Sequence, residues 1–260
     1  MALGCPVSPM VADAAAGGGH DHILRWLMAP GRMGNQGVRQ NLCVAAARGG
    51  HLAVLEVLAE SGRLFSGSGR LACAAAAIGG HLRTLQFLVS SGAKMDPLTT
   101  TAACASRFGM GVLAWACDNG CKLRHSAAEA AARRGDVDCL RWLRARGAPC
   151  RQDVALCAAA FGHVLVIKYL MEETPCLARS TRGFWAAVAR LAADRHHSAL
   201  HGWLIAAKKL TPNELVRANS ASALELQAGV EDGEHGEGLG LWAPEYALHF
   251  ARLRARECMR

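Results

Sequence analysis

Aromatic residues are scarce: Phe, Trp and Tyr together make up 5% of the chain. A thick β-sandwich built around large rings is therefore disfavoured. Burial has to come from Ala, Leu, Val and Cys, which suits helices that approach one another closely. Long hydrophobic runs are missing too: no stretch of about eighteen uncharged apolar residues occurs, so no membrane-spanning helix is expected. The opening "MALGCPVSPM" lacks a basic segment joined to an apolar one, which argues against secretion. Cysteine is plentiful at 11 residues, but the number is odd and no C-x-x-C pair exists, as expected of reduced thiols serving as small core residues in the cytoplasm or nucleus rather than of a disulfide framework.

What is present is a 52% hydrophobic composition over 260 residues, enough to fold, with a formal charge of +8 that favours attraction to acidic proteins, nucleic acid or anionic membrane surfaces. An all-α protein is expected.

The chain repeats itself. The corner Gly80 of "AAIGGHLRTLQFLVSSGAKMD" is matched by Gly19, Gly50, Gly135 and Gly162, with Phe108 and His196 standing in the same register, and the anchors lie 31, 30, 28, 27, 27 and 34 residues apart. Three and four residues before each anchor stand small residues, from Ala15 and Ala16 to Ala192 and Ala193. A short Ala-rich helix there can lie flat against the equivalent helix of the next copy. The anchor glycine ends that helix by supplying a left-handed cap.

After the corner, apolar residues at +4, +5, +7 and +8, such as Val54, Leu55, Val57 and Leu58, mark one face of a second helix. The +7 place is aromatic in six copies: Trp26, Phe87, Trp115, Trp142, Tyr169 and Trp203. Its fixed position on the apolar face assigns this stripe to the core rather than to a sugar or base platform. Glycine at +12 (Gly31, Gly62, Gly92, Gly120, Gly147) stops the second helix, with Thr174 and Lys208 in its place in the last two copies.

The combination Ala-Ala-x-x-Gly-His, a Leu-rich helix and Gly-Ala-x-x-Asp resembles the second half of an ankyrin repeat over roughly residues 9–210. The Thr-Pro-Leu-His opening of that family is absent, and most copies are shorter than its usual ~33 residues. The resemblance implies an ankyrin-like helical-repeat solenoid of about seven repeats, with short or absent β-hairpin fingers, especially around the copies anchored at Phe108 and Gly135. Its short, Cys- and Ala-rich copies are similar to arrays of algal, amoebal and large-virus type. Residues 211–243 read as an irregular segment with an acidic, Gly-rich linker, and 244–260 as an amphipathic helix that caps the last repeat or, with its four Arg, touches a partner or a membrane surface.

Catalytic signatures are lacking. No G-x-S-x-G elbow, Walker loop or Rossmann fingerprint occurs. The corner histidines His20, His51, His81 and His163 recur once per copy, as architecture does, and are expected to hydrogen-bond loop backbone and fix the turn. The metal candidates are His197 and His201, one helical turn apart, but Ser198 occupies the place of the general-base Glu and no third ligand is apparent. Cys117 and Cys121 make a still poorer pair. No cofactor is expected.

The reading is a non-enzymatic protein–protein interaction scaffold with an extended concave surface. Its partner is another protein of acidic character, contacted through Lys94, Lys122, Arg124, Arg133, Arg134 and Arg151; specific nucleic-acid binding is not expected, because the aromatic residues are assigned to the core. Arg141, at +6, is expected to be exposed. The alternative comes from a further likeness: such arrays resemble parts of a grouping related to sphingomyelin phosphodiesterases, which implies a role in sphingolipid metabolism at the endoplasmic reticulum.

Overall fold

The computed structural model describes residues 9–29, 42–62, 69–174 and 180–218, together with Leu64 and Leu177. It is all-helical: no strand occurs among the described residues. The helices come in consecutive pairs. These are α1 (Pro9–Gly17) with α2 (Asp21–Met28), α3 (Leu42–Gly49) with α4 (Leu52–Glu60), and α5 (Gly69–Gly79) with α6 (Leu82–Ser90). Then follow α7 (Pro97–Ala105) with α8 (Met110–Asp118), α9 (His125–Arg134) with α10 (Val137–Ala145), and α11 (Gln152–Ala160) with α12 (Val164–Glu173). The last are α13 (Arg182–Asp194) with α14 (Ser198–Lys208), and a short α15 (Pro212–Arg217).

Packing follows chain order. Each odd-numbered helix lies against the next odd-numbered one from α1 through to α15, forming one layer, while α2, α4, α6 and α8, and likewise α10 and α12, lie side by side in a second. The first layer is tight because its contact residues carry almost no bulk. Ala46, Ala47, Ala76, Ala77, Ala131, Ala132, Ala158 and Ala159 are all buried, and Cys43, Cys73, Cys104 and Cys157 fill the same seam. Leucines supply the larger volume between the layers: Leu24, Leu55, Leu85, Leu113, Leu140 and Leu143 are fully buried. Burying one such side chain contributes about 1.5–3 kcal/mol, and the apolar repeat of the sequence does so in every pair.

Helix ends follow local chemistry. Gly19, Gly50, Gly80, Gly135 and Gly162 all adopt positive φ at the corners, and His196 joins them at φ 62°. After the second helices, Gly62, Gly92, Gly120 and Gly147 do the same. In the seventh pair the left-handed place is taken by Lys209 (φ 49°), one residue later than the spacing predicts, because α14 itself continues through Lys208. Asp96, Asp136 and Thr181 cap helix starts with their side chains, accepting from Leu98 N, Cys139 N and Phe184 N. Thr211 and Glu214 form a reciprocal capping box on α15. That helix packs on α13, so ordered structure continues past residue 210 into what reads from the sequence as an irregular segment. The acidic linker from Glu231 and the helix expected at 244–260 lie outside the described residues.

The aromatic stripe departs from its expected place. Tyr169 is buried, Phe87, Trp115, Trp142 and Trp203 are half-buried, and Trp26 is 53% exposed. At the +7 position Phe87, Trp115, Trp142 and Trp203 pack on the core while staying partly open, and Trp142, Tyr169 and Trp203 each carry a cation over the ring. Arg141 lies 5.6 Å from the centre of the Tyr169 ring, and Lys168 lies 5.4 Å from that of Trp203, so the +6 cation of one pair covers the +7 ring of the next. Among the described residues, no helix is long and apolar enough to cross a membrane.

Candidate interaction face

The corners come first because they decide what the histidines do. The Nε2–H of His51 donates to the carbonyl of Gly17 at 3.0 Å, that of His163 to Arg133 at 2.8 Å, and that of His197 to Ala160 at 3.0 Å. Each acceptor stands two residues before the corner glycine of the preceding pair. The histidine therefore ties one pair to the one before it, rather than fixing its own turn as the sequence suggests. Its ring lies on the preceding glycine: a Cβ on Gly19 would sit 2.5 Å from His51, one on Gly50 2.6 Å from His81, one on Gly135 2.6 Å from His163 and one on Gly162 2.6 Å from His197. Corner glycine is thus required twice, by its φ and by its neighbour's ring.

His197 is accordingly the next rung of this ladder. His201, one turn along, turns its Nδ1 to the Ala189 carbonyl at 2.8 Å. The two rings that look like a metal pair in the sequence are held by carbonyls on α11 and α13. Among the described residues no group of three or more His, Cys, Asp or Glu is arranged to hold a metal ion. Cys121 donates its thiol to the Asp96 carbonyl at 3.0 Å, and its pKa is pushed up to about 11 by burial. Burial likewise pushes Cys43 and Cys73 up to about 12. Thiols held protonated in this way are poor nucleophiles.

The cations singled out in the sequence separate into three environments. Lys94, Lys122, Arg124 and Arg151 are exposed and sit in the connections that lead from an outer helix to the next inner one, with Arg124 and Arg151 directly preceding α9 and α11. They form a row because these connections stack as the helices do. Arg133 turns toward α11 and pairs with Glu129 at 3.6 Å. Its neighbour Arg134 turns the other way, pairs with Asp136 beside Cys104 and Cys139, and buries its Nη1. The helical rotation of about 100° per residue places these two adjacent arginines on different faces. Arg141 is exposed, as its register predicts, and pairs with Asp138 at 3.3 Å.

Several outer-layer cations are paired with acids of the neighbouring outer helix. Arg25 reaches Glu60 at 3.2 Å, Arg144 reaches Glu173 at 3.8 Å, and Arg146 reaches Asp118 at 3.0 Å, each pair joining one outer helix or its end to the next. Such exposed pairs contribute little stability, typically about 0–1 kcal/mol each. Their effect here is to offset part of the positive charge on that side.

Sequence reasoning missed a polar cluster beside that row, on the faces of α9 and α11. Glu129 lies 3.8 Å from His125 and 3.6 Å from Arg133, while the nearly buried Asp153 interacts with Arg151, His125 and Glu129. Burial raises the carboxyl pKa of both Glu129 and Asp153, and the neighbouring cations only partly offset it. The available signal was the spacing His125, Glu129, Arg133, an i, i+4, i+8 line on one helix face. Asp153 carries no such signature, because His125 and Glu129 lie on the preceding helix.

Compared with protein-family models and with curated proteins, the chain matches none.

Proposed function

We propose that the chain is an ankyrin-like solenoid of about seven repeats, a non-enzymatic protein-binding scaffold whose partner is an acidic protein surface. The observation that carries this reading is the charge arrangement: Arg25, Arg144 and Arg146 of the outer layer are paired with acids of neighbouring helices, whereas Lys94, Lys122, Arg124 and Arg151 line successive connections as an exposed basic row. Stacked repeats add such small patches into one extended surface, and complementary charge speeds and orients encounter. Arg133 and Arg134 take lesser parts, the first by shaping the α9–α11 cluster and the second by holding its own corner. A cytoplasmic setting agrees with the eight free cysteines among the described residues.

The test is proximity labelling with the full chain in its native cells, with a K94E/K122E/R124E/R151E variant beside an R141E/K168E control reversed on the outer layer. A discrete set of acidic proteins lost in the first variant and kept in the control supports the loop row. Labelling that survives the fourfold reversal unchanged rejects it.

A further inference from the structure

Four residues before the corner anchor the sequence has Ala15, Ala46, Ala76, Ala131, Ala158 and Ala192 in six copies, and Cys104 in the fourth. Four residues after it stand Ile23, Val54, Thr84, Val112, Val166 and Leu200, with Cys139 in the fifth copy. The stack brings these two exceptions together. Cys104 lies in the last turn of α7 and Cys139 in the first turn of α10, each 1% exposed. Their thiols are hydrogen-bonded to each other across the junction between the fourth and fifth pairs.

A third departure sits beside them. Directly before the fifth anchor stands Arg134, where the first three copies have Gly18, Gly49 and Gly79. Its Nη2 pairs with Asp136, and its Nη1 is buried with no hydrogen-bond partner among the described residues. The guanidinium is close enough to both thiols to favour a negative charge on either. A buried, unpartnered guanidinium N–H is costly as mere structure and calls for a reason. An anion between α7 and α10 supplies one. The fifth corner accommodates this arrangement because Asp136 stands in the place of the corner histidine, caps α10 at Cys139 N and holds Arg134 against that helix start.

The surroundings give the two thiols different roles. Cys139 accepts the hydrogen bond of Cys104, stands in the first turn of a helix, where backbone polarity favours negative charge, and has Arg134 beside it. Burial and Asp136 oppose these effects, and the net direction is a lowered pKa. Cys104 donates that hydrogen bond and is buried, so its pKa is pushed up and it stays protonated. One thiol is thus prepared to ionise and its neighbour to follow it.

We propose that Cys104 and Cys139 are a peroxide-oxidisable dithiol, a modification site that closes to a disulfide between the fourth and fifth pairs. The Cys139 thiolate attacks one oxygen of a hydroperoxide: an S–O bond forms, the O–O bond breaks, and the leaving oxygen takes a proton and departs as water or alcohol. The Cys104 thiol then attacks the sulfenic sulfur: the S–S bond forms, the S–O bond breaks, and hydroxide leaves with the Cys104 proton as water. Two electrons pass from the sulfur pair to the peroxide. The loop so closed contains Lys122 and Arg124, so oxidation ties down the middle of the basic row. That consequence rests on the proposed function, whereas the disulfide does not.

The molecule holds its own control. Cys43 and Cys73 are also buried and the second acts on the first across the α3–α5 seam, but no cation or thiol hydrogen bond acts on either, and burial pushes both up to about 12. The test treats the reduced full chain with a modest excess of hydrogen peroxide at pH 7.5, unfolds it in iodoacetamide and maps its peptides by mass spectrometry. A Cys104–Cys139 disulfide is expected to form about tenfold faster than Cys43 or Cys73 is oxidised. In Cys104→Ser, which lacks the resolving thiol, dimedone should trap a sulfenate on Cys139; in Cys139→Ser it should trap none on Cys104. Arg134→Gln should slow the disulfide and leave Cys43 and Cys73 unchanged. If that variant loosens the whole stack, seen as faster oxidation of Cys43 and Cys73, the parent chain and the dimedone trap still decide. Cys104 and Cys139 staying reduced, or oxidising only as fast as Cys43 and Cys73, overturns the proposal, because the reaction then passes through the unfolded chain. A sulfenate on Cys104 in place of Cys139 overturns it as well.

Discussion

The Nε2–H of His163 donates to the Arg133 carbonyl at 2.8 Å, thirty residues back in the chain, while its ring covers Gly135. One side chain thus satisfies an orphan carbonyl at the end of α9 and fills the space beside a left-handed glycine. His163→Ala should therefore cost about 1–2 kcal/mol, the sum of a net hydrogen bond and the lost packing. Urea midpoints measure it. His20→Ala is the comparison, because among the described residues His20 has no preceding pair to reach, and it should change stability by less than about 0.5 kcal/mol. Equal losses in the two variants would mean that the histidine acts on its own corner and not across pairs.

Two glycines with the same backbone separate conformation from packing. Gly135 and Gly147 both have φ 79°, but a Cβ at Gly135 would lie 2.6 Å from His163 whereas nothing lies within 4 Å of one at Gly147. Gly147→Ala should cost about 1–2 kcal/mol for the left-handed conformation alone. Gly135→Ala should cost clearly more, and the excess should shrink when it is introduced beside His163→Ala. A double-mutant cycle on thermal or urea unfolding gives that coupling.

His196 stands at φ 62° in the place the other corners give to glycine, and its side chain is exposed. His196→Gly relieves the steric penalty of a side chain in the left-handed region, offset in part by the extra freedom of glycine in the unfolded chain. A net gain of about 0.5–1 kcal/mol is expected in the urea midpoint. A loss would show that the exposed imidazole makes a contribution its surroundings do not reveal.

The repeat was readable in the sequence because it depends on residue types with few substitutes: glycine where φ is positive, alanine where helices nearly touch, leucine between layers. What escaped depends on direction. The letters place a histidine after four of the five corner glycines without saying that it reaches backwards, so His197 looks like half of a metal pair with His201 when it is the next rung. Arg133 and Arg134 look like one patch until the helix turns them apart. The aromatic stripe reads as wholly core because periodicity marks a face and not how far that face is covered. The Glu129–Asp153 cluster joins residues of two helices, and only the packing of α9 on α11 brings them together. Phe108–Gly109, by contrast, was visible as a departure from the pattern, but the close approach of Gly109 to the Ala103 carbonyl was not.

Asp153 offers a test of which electrostatic effect prevails in that cluster. It lies in the first turn of α11, where helix polarity favours a negative charge, and it has His125 and Arg151 near it, but Glu129 opposes and burial raises its pKa above the ordinary carboxylate value. A carboxyl whose pKa is higher folded than unfolded takes up a proton on folding between the two values. Stability then falls as pH rises through that window, and the full cost remains above it. Asp153→Asn removes the charge and keeps the shape, so the variant should be more stable than the parent at pH 7.5. The difference should shrink on acidification as the native Asp153 becomes protonated, and only a small remainder should be left at about pH 4, close to the ordinary pKa of an unfolded Asp. Urea midpoints at half-unit steps from pH 7.5 to 4 follow the effect. A variant less stable than the parent at neutral pH would show that the attraction of His125 and Arg151 for the ionised carboxylate exceeds the cost of burying it.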